Sequence, residues 1–229
     1  TYIGPDGPRV DDLPGRGALV TRLPVDLPDI QWFQYYGNNM WAFTQGRQYG
    51  YDRYSQALHG GLDFGNSQRP GVKVYAGVSG EYVKTEYPSK NNTRIFVKNG
   101  DYTFIYQHIT NARPFVTKQA ITPDTVLSEI EHHTINGGWD HVHFEVRFGD
   151  EWIINPLLLM PDSLYQPLFQ RFPPNKANSN YQQTDSVLNF FYQSPRWSKW
   201  CSPLDQPMIK LAGPCRGPRY EVGDTTPEV

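Results

Sequence analysis

The chain has 229 residues, enough for one domain with an extension or for two small domains, and enough to bury a sizeable core. Its formal net charge of −2, from 21 basic and 23 acidic side chains, argues against a nucleic-acid binder, which needs clustered Lys and Arg. No apolar run reads as a membrane span, and 20 Gly, 20 Pro, 15 Tyr and 6 Trp suit a mainly β protein better than a helical bundle.

The first residue is Thr1 rather than methionine, which leaves two readings, a removed signal peptide or a chain that starts there. Residues 1–30 carry Pro5, Pro8, Pro14, Pro24 and Pro28 with no apolar period, and predict an extended arm crossing a surface rather than a domain. From 31 to 160, short apolar runs alternate with turn signals. Period two and β-branched or aromatic content predict strands in "VKVYAGVSG", "EYVKTEY", "RIFVKNG", "DYTFIYQHI" and "HVHFEVRF". "KNGDY" puts Asn99 and Gly100 between two such runs, a hairpin signal, so the stretch predicts an antiparallel sheet.

Residues 161–229 predict an irregular, partly helical C-terminal extension packed on the sheet, with a separate binding module as the alternative. "MPDSLYQPLFQRF" suggests one short helix, with Pro161 near its start, and "DSVLNFFYQ" another. Cys201 and Cys215 are the only cysteines, and a disulfide between them would stabilise the fold by roughly 3 kcal/mol in the chain-entropy model. Two reduced, buried thiols are the other reading, and two thiols at this spacing are not a four-ligand zinc pattern. Asn91-Asn92-Thr93 is a formal glycosylation sequon that matters only in a eukaryotic secretory host.

Chemistry concentrates in the histidines. Along a strand, His141, His143 and Glu145 share one face, while Val142, Phe144 and Val146 share the other, which is the core side. That leaves two imidazoles in a polar groove, where they bind metal, shuttle protons or only accept hydrogen bonds. In "LHGGLDFG", His59 and Asp63 would lie about 13 Å apart on a straight strand, too far for one ion. A bend is required, and Gly60 and Gly61 predict it through the backbone conformations open to glycine. His108 ends a strand and shares a face with Phe104 and Tyr106 by simple alternation; His132 and His133 sit in a loop-like stretch and are expected to be solvated or at a cleft rim.

Taken in order, His59-Gly-Gly-Leu-Asp63, Tyr106-Gln-His108 and His141-Val-His143-Phe-Glu145 resemble the motifs of the lysostaphin-type (LytM-domain) zinc metalloendopeptidases. "GVKVYAGVSGEYV" looks like that family's hairpin after the first motif and "WIINPLLLM" like its closing segment, so the resemblance covers about residues 50–160. It implies an antiparallel β catalytic domain over 31–160 that holds one Zn2+ through His59, Asp63 and His143. His108 and His141 would be the catalytic pair, His141 as base and orienter of a metal-activated water and His108 as donor to the oxyanion or leaving amine, with the roles open to exchange. Glu145 would support the site from behind, unlike the glutamate base of helix-borne H-E-x-x-H sites.

The implied activity is hydrolysis of peptide bonds in bacterial cell-wall peptidoglycan by a secreted or cell-envelope monomer; the alternatives are a non-catalytic LytM-type scaffold and a cell-wall-binding protein. Aromatic side chains from residues 31–54 are expected either to line an open groove or to pack in the core. Departures from the family are plain. Trp139 and Asp140 stand before His141 where relatives often have Gly-Pro, and the stretch between the catalytic histidines is poor in glycine. Asn38 or Asn39 is a candidate for the blocking asparagine that some relatives carry.

Overall fold

Alternation of apolar and polar side chains decides which face of each strand enters the core. In the computed structural model, residues 3–4, 7–8, 10–37, 54–55, 58–89, 92–133, 139–173, 204 and 208–211 are described. A two-stranded ribbon, β1 (Ile3–Gly4) with β2 (Gly7–Pro8), stands apart from one antiparallel sheet. That sheet has eleven strands: β3 (Trp32–Gln34), β4 (Leu62–Gly65), β5 (Lys73–Tyr75), β6 (Gly80–Glu86), β7 (Thr93–Asn99), β8 (Tyr102–Thr110), β9 (Ala120–Ile121), β10 (Val126–Ile130), β11 (His141–Phe148), β12 (Trp152–Ile154) and β13 (Ile209–Lys210). Its main path runs β13-β12-β11-β8-β7-β6-β9, with β4 beside β11, β3 beside β4, and β10 joining β5 to β8. A mainly β, antiparallel fold is therefore what this sequence forms, and each strand predicted from its period is present.

The central strand is β11. It pairs with β8 over residues 143–148, with β4 over 141–144 and with β12 over 146–148. Val142, Phe144 and Val146 are fully buried, and Phe64, Leu62, Phe104, Tyr106 and Ile95 join them on the core side. The hairpin between β7 and β8 turns one residue later than expected. Asn99 still pairs with Tyr102, so Gly100 and Asp101 make the turn, with Gly100 at the positive φ (57°) that glycine adopts without steric cost. Sequence patterning did not isolate β4, because all four of its residues are buried and leave no alternation to detect.

The proline-rich arm differs from its surface expectation. Val20, Val25 and Ile30 are at most 1% exposed, in the same core as the sheet. Its backbone is also tied in: Val20 N–H donates to Leu159 O (2.9 Å), Thr21 N–H to Gly77 O (2.9 Å), and Tyr75 N–H to Pro24 O (2.8 Å). Residues 10–30 thus run between the closing segment after β12 and the chain around β5. Prolines fit because they stiffen an irregular path of turns and two 3-10 segments that still sends Leu23, Val25 and Ile30 into the core.

Past β12, Pro156–Leu159 forms a buried 3-10 turn and α1 (Asp162–Arg171) follows Pro161, burying Tyr165 and Leu168. β13 then adds itself to β12. The predicted helix in "DSVLNFFYQ", Cys201, Cys215, Asn38, Asn39 and Asn91 lie outside the described residues. None of the described helices is long and apolar enough to cross a membrane.

Ile30→Ala tests how the arm is held. Loss of a fully buried isoleucine from a shared core is expected to lower unfolding free energy by about 2–5 kcal/mol, measured by urea denaturation. A surface-lying arm would give a change within about 0.5 kcal/mol.

Candidate metal centre

Opposite the core, the groove face of β11 carries His141, His143 and Glu145. Register places His143 directly across from Asp63 on β4. His143 Nδ1 lies 2.7 Å from Asp63 Oδ1, and His59 Nε2 lies 3.1 Å from Asp63 Oδ2. One ligand atom from each of His59, Asp63 and His143 falls within 4.8 Å of the others, the group of metal-ligating type found among the described residues. Two imidazole nitrogens and one carboxylate oxygen suit zinc, and three protein donors leave a fourth position open in a tetrahedral site.

Each donor is oriented from behind. His59 is buried, and its Nδ1 donates to the carbonyl of Tyr35 (2.9 Å), which leaves Nε2 as the nitrogen with a lone pair toward Asp63. His143 Nε2 faces Glu145 Oε2 at 3.7 Å. Glu145 itself accepts from Tyr54 (2.7 Å to Oε2) and from Arg147 Nε (2.6 Å to Oε1).

The bend between His59 and Asp63 has a different origin from the one expected. Neither Gly60 nor Gly61 takes a positive φ. Gly61 is required for space: a Cβ there would lie 2.5 Å from Phe144 O and 2.8 Å from the His143 ring. At Gly65 a Cβ would sit 2.0 Å from Trp32 Cε2, so the bare backbone lets the Trp32 indole lie across β4 and reach His141, ring centroids 5.3 Å apart.

His108 also departs from simple alternation. Arg94 pairs with Gln107 but Thr93 pairs with Ile109, so His108 is the extra residue of a β-bulge, and its φ is 65°. The bulge turns its side chain away from the face of Phe104 and Tyr106 and into the groove, where its ring centroid is 4.8 Å from that of His141 and 6.5 Å from that of His143. His141 Nδ1 donates to the Trp139 carbonyl (2.6 Å), so its Nε2, 3.7 Å from Asp63 Oδ1, is the proton-accepting nitrogen.

Electrostatics bind these groups into one unit. Burial raises the Asp63 carboxyl, but the neighbouring His59 and His141 rings and the His143 hydrogen bond outweigh it and hold Asp63 well below the ordinary range. Burial likewise depresses His143, yet its contacts with Asp63 and Glu145 push it up to about 9. For His141 burial prevails over the attraction of Asp63, and its pKa is lowered.

A cleft of about 610 Å3 opens over these residues, lined also by Trp32, Gln34, Tyr54, Arg94, Gln107 and Trp139. Of the aromatic stretch before residue 55, Trp32 and Tyr54 therefore face the groove, whereas Tyr35 and Tyr36 are buried. His132 and His133 are not simply solvated. Their Nδ1 atoms lie 2.8 and 2.9 Å from the two oxygens of buried Asp140, whose carboxylate also accepts from His133 N–H (3.0 Å). Asp140 thereby anchors the strand entry from which Trp139 and His141 reach the cleft. Sequence reasoning noted Asp140 as a departure but missed its two histidine partners, and it missed Gln34, Arg94 and Gln107 altogether.

No family model matches the sequence, and no curated protein matches it. Among solved structures, the chain is similar to Helicobacter pylori Csd3 at 15% identity over 62% of this chain and 35% of that one, TM-score 0.43. It is similar to a zinc containing peptidase from Vibrio cholerae at 16% over 68% and 45%, TM-score 0.43. The catalytic domain of the prophage-encoded M23 protein EnpA from Enterococcus faecalis matches at 17% over 43% and 76%, TM-score 0.37. This chain thus spans 35% of the first and 45% of the second. Similar structures at low identity include M23 proteins, and function has to be read from the side chains themselves.

Gly61→Ala is expected to destabilise the fold by about 1–3 kcal/mol in urea and to shift the imidazole resonances of His143, because the added methyl meets rigid backbone on one side. Glu145 supplies a second test. Burial raises its carboxyl, but His143 and Arg147 outweigh this and hold it below its ordinary 4.5. A depressed carboxyl stabilises above the unfolded value and loses that contribution as pH falls through the folded one. Glu145→Gln should cost about 1–3 kcal/mol at pH 7 and make the denaturation midpoint less steeply dependent on pH below 4.5.

Proposed function

We propose that the protein is a zinc-dependent endopeptidase acting on peptide bonds of bacterial cell-wall peptidoglycan, outside the cell or in its envelope. The observation that carries this reading is the convergence of His59, Asp63 and His143 on one point, with the His108 and His141 rings beside it. The cell-wall substrate follows from the motif resemblance.

His59, Asp63 and His143 would hold the ion. When bound, zinc lowers the pKa of a water toward neutrality and polarises a peptide carbonyl. His141 Nε2, with Nδ1 committed to Trp139, takes the proton from the attacking water. A lowered pKa keeps His141 neutral, and so able to accept, at neutral pH. His108, brought to the same cleft by its bulge, donates to the developing oxyanion or to the leaving amine. Trp32, packed on His141, limits water access on that flank.

Elemental analysis should find one zinc per chain. His59→Ala is expected to lose zinc and hydrolysis together, whereas His108→Ala should keep zinc while hydrolysis of cell walls falls roughly a hundred- to ten-thousandfold. Mass spectrometry of the released fragments identifies the bond. Protein that folds and hydrolyses without bound zinc, or a fully active His108→Ala variant, would overturn the assignment.

A further inference from the structure

Six neighbouring strands each contribute one residue to a single line across the groove face. Gln34 pairs with Asp63, Asp63 with His143, His143 with Gln107, Gln107 with Arg94, and Arg94 with Glu86. All but Glu86 line the cleft. Neighbouring strands lie about 4.8 Å apart, so Arg94 stands about 10 Å from His143 along this line.

Arg94 is placed as a recognition group rather than a surface charge. Its side chain is 26% exposed, and its Nε is buried with no hydrogen-bond partner among the described residues. One terminal nitrogen reaches Glu86 at 3.3 Å, but Glu86 has a nearer cation in Lys84 at 2.5 Å. Two cations therefore share one carboxylate, and that end of the cleft carries an excess positive charge. Arg147, the other guanidinium near the site among the described residues, is already engaged with Glu145 and Tyr54. Gln107, between Arg94 and His143, has its amide held by Asn92 (2.6 Å), which fixes it in the line. On the other side of the histidines the lining changes to the indoles of Trp32 and Trp139, and Trp139 is 45% exposed.

The geometry points to Arg94 as the anchor for a free carboxylate on the substrate, making peptides with a carboxyl terminus or acidic group near the cut bond the preferred class. This deepens the peptidase reading of the same site and rests on it. A guanidinium matches a carboxylate through paired N–H donors, and partial burial strengthens such a contact. An extended peptide advances about 3.3–3.6 Å per residue, so the carboxylate falls about three residues from a bond lying over His59, Asp63 and His143.

The test uses two pools of N-acetylated hexapeptides built from Gly, Ala, Ser and Lys, identical except for a C-terminal carboxylate or carboxamide. Retention on the immobilised full chain in chelator reads binding without turnover, and mass spectrometry with zinc present reads cleavage. Wild type should favour the acid pool about tenfold or more in both readouts and cut about three residues from the carboxylate. Arg94→Gln should bring the acid-to-amide ratio near one, and Arg94→Lys should retain part of the preference. Zinc content of each variant, measured in parallel, should equal that of wild type. Equal treatment of the pools by wild type, or an undiminished preference in Arg94→Gln, overturns the proposal. Acid-selective retention without zinc or cleavage sinks the peptidase reading while supporting the carboxylate site; cleavage blind to the carboxylate does the reverse.

Discussion

One strand register governs the site: β4 lies against β11 with Asp63 facing His143. Because strand side chains alternate with period two, a slip of β4 by one residue would turn Asp63 into the core and push Leu62 and Phe64 into water, while Val142 and Phe144 stayed on the core side of β11. All four of those apolar residues are fully buried, so the hydrophobic face holds the register that the polar face uses. Glycine then completes the arrangement at two points of β4 and its approach. Gly61 leaves room for the His143 ring and Gly65 for the Trp32 indole. Asp63 and His143 are therefore positioned by packing on the far side of the sheet.

A buried carboxylate would ordinarily be expelled or protonated. Asp63, 4% exposed, stays charged because three imidazoles surround it, and the raised His143 and the depressed Asp63 express the same attraction seen from its two ends. Such a pair holds a proton where a divalent cation would otherwise neutralise the carboxylate, and metal loading at such a site releases that proton. Glu145 repeats the pattern one step back, its charge balanced by His143 and Arg147 and its oxygens occupied by Tyr54 and Arg147. The groove is thus layered, with direct donors in front and a compensated carboxylate behind them.

Much of this was legible in the sequence, and the limits have physical causes. Alternation in "HVHFEVRF" correctly separated His141, His143 and Glu145 from the core residues between them. Counting outward from the observed pairing of Asn99 with Tyr102 puts Arg94 opposite Gln107, whereas the expected Asn99-Gly100 turn would have put it opposite Ile105, so the cationic end of the cleft depended on where the hairpin turned. Contacts formed by distant segments left no such trace. Nothing local ties Asp140 to His132 and His133, or shows that a proline-rich arm carries Val20 and Ile30 into the core. Gly60 and Gly61 were rightly linked to the turn between His59 and Asp63, but the reason at Gly61 is a close approach that only the paired strand reveals.

The bulge at His108 shows why the site needs an irregular strand. A regular β8 would offer Gln107 to the groove and bury its neighbour on the side of Tyr106. Inserting one unpaired residue directly after Gln107 leaves the row from Asp63 to Arg94 intact and adds an imidazole to the same cleft. The backbone cost of holding a non-glycine residue at φ 65° is on the order of 1–3 kcal/mol. Core packing can sustain that cost because it fixes β8 on both sides of the distortion: before it, Tyr106 donates to Ala76 O and packs against Phe144, and after it Ile109 is fully buried and pairs with Thr93 and Ile130. Strain of this kind persists only where the surrounding structure over-determines it, and here it serves to bring a second histidine within ring contact of the first.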